Sequence, residues 1–214
     1  MKWLKNFAKT VCVLMMGAFA AGCDDGGGGG GGGGDIGDNN LDVVVCLGDS
    51  ITEGQNSEGA PFPSRLAGMI GKTVINAGKG GEKSSGGAAR AASVLRQHKP
   101  AAMTILYGAN DLTAGASTEE TITSLRSIIN VCRENQTEPV LATLTPMVAG
   151  HELWAGGVVM LNEHIRALAS SAGVRLVDLE REFGSDPSML LLPDGLHPTT
   201  AGNQVIADAF AGAL

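Results

Sequence analysis

Asp42-Val43-Val44-Val45-Cys46-Leu47-Gly48-Asp49-Ser50-Ile51-Thr52-Glu53-Gly54 is the stretch from which the fold can be read. Residues 43–47 form an unbroken apolar run rich in β-branched side chains, with the length and composition of a strand buried on both faces. The run stops at Gly48, and two small polar residues, Asp49 and Ser50, follow it. A buried strand with such an ending places a hydroxyl at the carboxyl edge of a sheet, where open α/β sheets keep their ligands. Taken alone, the stretch reads equally well as a strand followed by a polar turn. The rest of the chain decides between the two.

Outward from this strand, helix and strand patterns alternate. Residues 61–70 suit a helix that opens on Pro61 and stops at Gly71. A short second strand over 73–76 leads into a glycine-rich loop over 78–87, and a helix over 88–98 is closed by Pro100. A third buried strand spans 102–107. Ser117 or Thr118 caps a helix running to about Arg133, with Glu119 and Glu120 in its first turn. A fourth strand over 139–144, a loop over 147–156, a helix over 158–171, a fifth strand over 174–177 and a last helix over 199–210 complete the series. Five short apolar strands separated by helices imply an α/β fold, a parallel sheet covered on both faces. Right-handed crossovers make it a three-layer α/β/α sandwich, one domain over residues 41–214.

On such a sheet the polar residues gather at one rim. Ser50 follows the first strand, Gly81 lies in the loop after the second, Asn110 follows the third, and Asp194 and His197 precede the last helix. The blocks Gly48-Asp49-Ser50-Ile51, Asn76-Ala77-Gly78-Lys79-Gly80-Gly81, Gly108-Ala109-Asn110-Asp111 and Asp194-Gly195-Leu196-His197-Pro198 resemble, in order, those of the SGNH or GDSL-type hydrolases. The resemblance extends over essentially all of residues 43–210. It implies the flavodoxin-like SGNH hydrolase fold and a serine esterase that works through an acyl-enzyme.

The chemistry accounts for the residue types. A serine hydroxyl is a poor nucleophile until a base takes its proton, and His197 is the candidate base for Ser50. By resemblance, Asp194 orients His197 and stabilises the imidazolium; Asp178, at the end of the fifth strand, is a second candidate acid. The resemblance gives the tetrahedral intermediate three donors: the N–H of Ser50, the N–H of Gly81 and the side-chain amide of Asn110. Gly78 and Gly80 are near alternatives to Gly81. Losing one donor of this kind costs roughly 3–4 kcal/mol in the transition state. Asp49 and Asp111 are expected to hold their loops by accepting backbone hydrogen bonds. His197 must be neutral to act as base, so activity should fall once the imidazole is protonated in mildly acidic solution. The resemblance implies a reaction that needs no metal and no other cofactor.

Two other readings compete. Gly78-Lys79-Gly80-Gly81-Glu82-Lys83-Ser84 lies between a strand and a helix, as a phosphate-binding loop does. Glu82, however, stands where glycine precedes the lysine of such a loop, and it would repel phosphate. A non-catalytic module that only binds an acyl or sugar ligand is the third reading, and hydrolysis of a p-nitrophenyl ester separates it from an enzyme. Within an esterase, the expected substrates are short-chain or O-acetyl esters, as for a carbohydrate acetylesterase or arylesterase. Longer acyl chains, as for a lysophospholipase or thioesterase, are the alternative. Trp154, in the loop after the fourth strand, is a candidate wall for the substrate.

The start of the chain carries an address. Lys2, Lys5 and Lys9 precede a charge-free apolar stretch over 10–22, shorter than a comfortable membrane span and shaped like a signal-peptide core. Ala20-Ala21-Gly22-Cys23 resembles the lipobox of bacterial lipoproteins. That resemblance implies removal of residues 1–22, acylation of Cys23, and a place in the cell envelope on the extracytoplasmic side of a membrane. Asp24 after the anchor resembles the signal for retention on the inner of two membranes. Nine consecutive glycines at 26–34 within the 23–40 segment can bury no apolar surface and read as a tether. From Cys23 onward, 12 basic residues stand against 22 acidic ones, a formal charge of −10. Such a balance excludes nucleic acid and an anionic surface as electrostatic partners. The expected partners are a small-molecule, glycan or lipid ester and, through the anchor, a membrane; the body itself is expected to be a monomer. Cys46 and Cys132, on a strand and a helix, read as two buried thiols rather than a disulfide.

Overall fold

The computed structural model describes residues 37–57 and 59–214. The expected leader over 1–22, the anchor Cys23 and the glycine run at 26–34 lie outside the described residues. Inside them the order is β1 (Asn40–Gly48), α1 (Ser50–Glu53), α2 (Phe62–Ile70), β2 (Thr73–Gly78), α3 (Ser84–His98), β3 (Pro100–Leu106), α4 (Ala109–Thr113), α5 (Thr118–Glu134), β4 (Glu138–Ala142), α6 (Glu152–Ala172), β5 (Arg175–Val177), α7 (Leu179–Phe183) and α8 (Thr200–Ala213). The strands form one five-stranded sheet in the order β2-β1-β3-β4-β5, every neighbouring pair parallel. This is the expected α/β sandwich.

The two-residue period of β1 explains why both faces are covered. Val45 and Leu47 point to one side, where Met103, Ile105 and Leu141 of the neighbouring strands meet Leu95 of α3, Ile128 of α5 and Ile165 of α6. Cys46 points to the other, where Leu106, Val140 and Val177 meet Phe62 of α2 and Phe210 of α8. The rings of Phe62 and Phe210 stack with centroids 5.4 Å apart. Cys46 and Cys132 are free and buried, and burial pushes each thiol up to about 12. Among the described residues no helix is long and apolar enough to cross a membrane.

Several boundaries differ from expectation for tertiary reasons. Helix α3 starts at Ser84 rather than at 88, because the carboxylate of Asp111, remote in sequence, accepts from Ser84 N at 2.9 Å and Ser84 Oγ at 2.6 Å and satisfies its first turn. Gly86 and Gly87 are thereby drawn into the helix, and at Gly87 a Cβ would stand 2.5 Å from the Tyr107 ring. Helix α6 begins at Glu152, so half of the loop expected over 147–156 is helical despite Gly156 and Gly157. The four- and five-residue helices α1, α4 and α7 are too short to leave a periodic signal.

Strand order fixes where a site can form. β2 lies on one side of β1 and β3 on the other, which makes the carboxyl ends of β1 and β3 a topological switch point. Gly48 pairs in register with Gly78 of β2 and with Leu106 of β3, so three strands end level and discharge their loops together.

Candidate active site

Ser50 is the first residue of α1, directly after β1, and is 6% exposed. Asp49 is its N-cap: Oδ1 accepts from Ile51 N at 3.0 Å, while the Asp49 carbonyl accepts from Glu53 N at 2.9 Å. The turn is thus locked on both sides of the hydroxyl.

His197 reaches that hydroxyl from 147 positions away, with Nε2 3.0 Å from Ser50 Oγ. Its Nδ1 donates to Asp194 Oδ2 at 2.7 Å. A carboxylate only accepts, so this bond fixes the tautomer and leaves Nε2 to accept the Ser50 proton. The other carboxylate oxygen, Oδ1, accepts from the backbone N–H of Leu196 and of His197, each at 3.0 Å. Partial burial alone would raise the Asp194 pKa; the Leu196 and His197 N–H groups and the imidazole outweigh it and hold the carboxyl below its ordinary range.

The loop that carries both residues is closed on itself. Leu191 and Pro198 form an antiparallel bridge, Leu192 N donates to the His197 carbonyl at 2.8 Å, and Thr199 N to the Leu190 carbonyl at 2.9 Å. A second segment braces it. Val148 N donates to the Gly195 carbonyl at 2.9 Å, and His151 Nδ1 donates to the Asp194 carbonyl at 2.7 Å. Gly195 has φ +70°, and a Cβ there would stand 1.9 Å from the Val148 carbonyl oxygen. Only glycine fits that contact.

Asn110, in the first turn of α4, joins the other side of the site. Its Nδ2 donates to Asp49 Oδ2 at 3.3 Å and to the Glu82 carbonyl at 3.2 Å, which brings the loops after β1, β2 and β3 together. Gly81 precedes Glu82 with φ +71°, and among the described residues its N–H meets no acceptor. The glycine loop is seated by Lys79 N donating to the Gly48 carbonyl at 3.0 Å. At Gly78 a Cβ would fall 2.0 Å from Glu53 N, so the loop lies directly on α1. Asp49 itself is buried. Burial pushes its carboxyl up to about 7; the Ile51 N–H opposes this, and the nearby charge of Asp111 adds to it.

All five residues expected at the rim therefore lie in one connected cluster: Ser50, His197 and Asp194 in direct contact, Asn110 and Gly81 through the neighbours Asp49 and Glu82. Asp178 lies in a different cluster. Its carboxylate pairs with Arg166 at 3.0 and 2.7 Å and accepts from Thr143 Oγ1 at 3.3 Å, with no histidine contact. Trp154 sits on α6 beside His151, ring centroids 5.5 Å apart, and packs partly against the core. The sequence places His151 in the stretch before Trp154 near the site but gives no sign of its contact, because its partner is a backbone carbonyl, which carries no residue signature. In the sequence Glu82 argues only against phosphate; in the structure it forms a charged cluster with Arg90 and Tyr107 under the glycine loop. Among the described residues no group of three or more His, Cys, Asp or Glu is placed to hold a metal ion.

The arrangement can deprotonate a hydroxyl and hold the resulting charge, which is what acyl transfer needs. Known proteins agree. The chain is 29% identical over 180 residues to thioesterase 1/protease 1/lysophospholipase L1 of Escherichia coli strain K12, a match covering 81% of this chain and 83% of that protein. A GDSL-like lipase from Bacteroides thetaiotaomicron has the same fold, with a TM-score of 0.69 at 22% identity over 80% of this chain and 87% of that one. So does an acetylxylan esterase from Geobacillus stearothermophilus, with a TM-score of 0.72 at 19% identity over 82% and 94%. The model of the GDSL-like lipase/acylhydrolase family matches residues 46–205, three-quarters of the sequence, and the chain belongs to that family of ester-hydrolysing enzymes.

Proposed function

We propose that Ser50 attacks the ester carbonyl while His197 takes its proton, with Asp194 holding the imidazole. His197 returns the proton to the leaving alcohol, and an acyl-enzyme on Ser50 forms. Water, deprotonated by His197, then releases the acid. The N–H groups of Ser50 and Gly81 stabilise the oxyanion in both steps, joined by the Asn110 amide as one of its hydrogens leaves the long 3.3 Å contact with Asp49. The observation that carries this reading is the run of contacts from Ser50 Oγ to His197 Nε2 at 3.0 Å and from His197 Nδ1 to Asp194 at 2.7 Å. Ser50→Ala is the test: p-nitrophenyl acetate hydrolysis should vanish while the fold persists. Retained turnover would end the assignment.

The favoured substrates are short-chain or O-acetyl esters, including acetyl groups on glycans. The acetylxylan esterase similarity supports this reading, as does the lack of an inserted lid between the five strands among the described residues. The alternative is a longer acyl chain. It is supported by the name of the E. coli relative and by Leu153, 92% exposed two residues after the His151 that touches the Asp194 loop. A series of p-nitrophenyl esters from acetate to palmitate decides between them, since cleavage of long chains alone would remove the first. The leader, the acylated Cys23 and the glycine tether would hold the enzyme to a membrane on its extracytoplasmic side. Radiolabelled palmitate incorporated by wild type and not by Cys23→Ala tests that placement.

A further inference from the structure

Directly beneath the glycine loop lies a charged cluster that the acyl-transfer steps do not use. The Glu82 side chain is 7% exposed, and its Oε2 accepts from Tyr107 OH at 2.6 Å and from Arg90 Nε at 2.8 Å. The Arg90 Nη2 group donates to three further oxygens: the Ala77 carbonyl at 2.7 Å, Tyr107 OH at 2.8 Å and the Gly48 carbonyl at 3.3 Å. One guanidinium thus ties the end of β1, one residue before Asp49, to the end of β2, where the glycine loop departs. The phenol brings in the residue that follows β3. The ring of Tyr107 fills the place of a side chain at Gly87, which lets α3 lie close enough for Arg90 to reach.

Burying a charged pair is a poor way to gain stability, since desolvation consumes most of the attraction. What this pair fixes is geometry. Glu82 is the residue after Gly81, so anchoring its side chain sets the rotation of the peptide next to the Gly81 N–H. The Glu82 carbonyl accepts from Asn110 Nδ2 at 3.2 Å and so orients the amide. We infer that Glu82, Arg90 and Tyr107 are positioning residues for the oxyanion site, holding the Gly81 N–H and the Asn110 amide where negative charge develops on the substrate oxygen. The inference rests on the roles given above to Ser50, Gly81 and Asn110. Donors of this kind work by being fixed before the reaction, so a looser mounting lowers kcat without weakening substrate binding. The Tyr107 and Arg90 hydrogen bonds hold the Glu82 carboxyl below its ordinary range although burial alone would raise it, so it stays an acceptor near neutral pH.

The test uses Glu82→Gln, Tyr107→Phe and Arg90→Lys in the full-length protein, with kcat and KM measured on p-nitrophenyl acetate and thermal melting as the check on folding. Glu82→Gln is expected to lower kcat about 10–100-fold with KM within twofold, and Tyr107→Phe to lower it less. Arg90→Lys should lower kcat as well, because an ammonium cannot span the oxygens the guanidinium reaches. The decisive measurement is the double variant with Asn110→Ala. If Glu82 acts through the donors, Glu82→Gln costs less once Asn110 is gone, because only the Gly81 N–H is left to misplace; a merely structural defect would multiply in full with Asn110→Ala. Single variants with kcat within twofold of wild type, or a fully multiplicative double variant, would overturn the inference. Should Glu82→Gln fail to fold, Tyr107→Phe, which removes one oxygen, carries both measurements. Activity surviving Ser50→Ala would instead overturn the underlying assignment. An inactive Ser50→Ala beside an unaffected Glu82→Gln would overturn the positioning role alone.

Discussion

The imidazole of His151 donates from Nδ1 to the backbone carbonyl of Asp194 across 2.7 Å, fastening the segment after β4 to the loop of the proposed acid and base. A hydrogen bond of this kind is worth about 1 kcal/mol net. His151→Ala is therefore expected to lower kcat about fivefold, with KM little changed, in steady-state hydrolysis of p-nitrophenyl acetate. An unchanged kcat would show that the loop holds its shape without the brace.

Asp194→Asn tests orientation rather than charge alone. An amide at this position can donate to Nδ1 and so favour the tautomer whose Nε2 carries the proton, blocking removal of the Ser50 proton. In the serine-protease template the equivalent change costs about 10⁴ in kcat. A fall of about 10³–10⁴ is expected here, measured by active-site-titrated turnover. A loss of less than tenfold would mean that another group holds the imidazole.

The second candidate acid provides the contrast. Asp178 is bound to Arg166 at the far side of β4, and Arg166 also reaches Glu180 at 2.6 Å. Asp178→Asn should leave kcat within twofold of wild type. It is expected to cost about 1–3 kcal/mol in urea unfolding through the weakened charged hydrogen bonds.

Asp49 predicts a pH dependence of stability. Burial pushes its carboxyl up to about 7, whereas the same carboxyl in the unfolded chain titrates at about 3.9. The folded state thus holds this proton more tightly. The resulting stability is complete below pH ~4 and is lost as the pH rises through about 7. Asp178 and Asp194, held low, contribute with the opposite sign and only in stronger acid. Urea unfolding of wild type and Asp49→Asn between pH 5 and 8 isolates the effect, because the other groups titrate in both proteins. Wild type should lose stability relative to the variant across that range, and parallel curves would contradict the assignment.

Gly156 lies inside α6, and a Cβ there would meet nothing within 4 Å. Gly156→Ala should stabilise the protein by roughly 0.5–1 kcal/mol, since the unfolded chain loses conformational freedom and no neighbour is displaced. The melting temperature should rise by about 1–4 °C. Gly157, one residue on, would bring its Cβ 3.3 Å from Leu112 and is expected to gain less.

Much of the molecule was legible from residue order. The run of apolar residues at 43–47 lies between two neighbouring strands, half-buried at Val43 and fully buried from Val44 on, and its two-residue period alone is enough to assign Cys46 and Leu47 to opposite cores. Ser50, Gly81, Asn110, Asp194 and His197 are grouped because strands of one parallel sheet release their loops at a common edge. What could not be read depends on partners distant in sequence. Asp111 capping Ser84 lengthens α3 by a turn, and no local pattern near Ser84 announces it. Gly156-Gly157 looks like a break, yet α6 runs through it, with Leu112 of α4 lying beside Gly157. His151, Arg90 and Tyr107 act on carbonyls and on one another across loops, and contacts of that sort leave no spacing to detect.

The bridge between Leu191 and Pro198 gives the last turn of the chain before α8 a mechanical character of its own. The proposed acid and base, Asp194 and His197, ride on a single closed unit, their mutual separation set inside it by Oδ1 and Oδ2 of one carboxylate. A shift of that unit as a body alters one gap, the one to the hydroxyl, and preserves the other. Whatever displaces this unit is therefore felt first at one place, the 3.0 Å contact between its imidazole and the Ser50 hydroxyl.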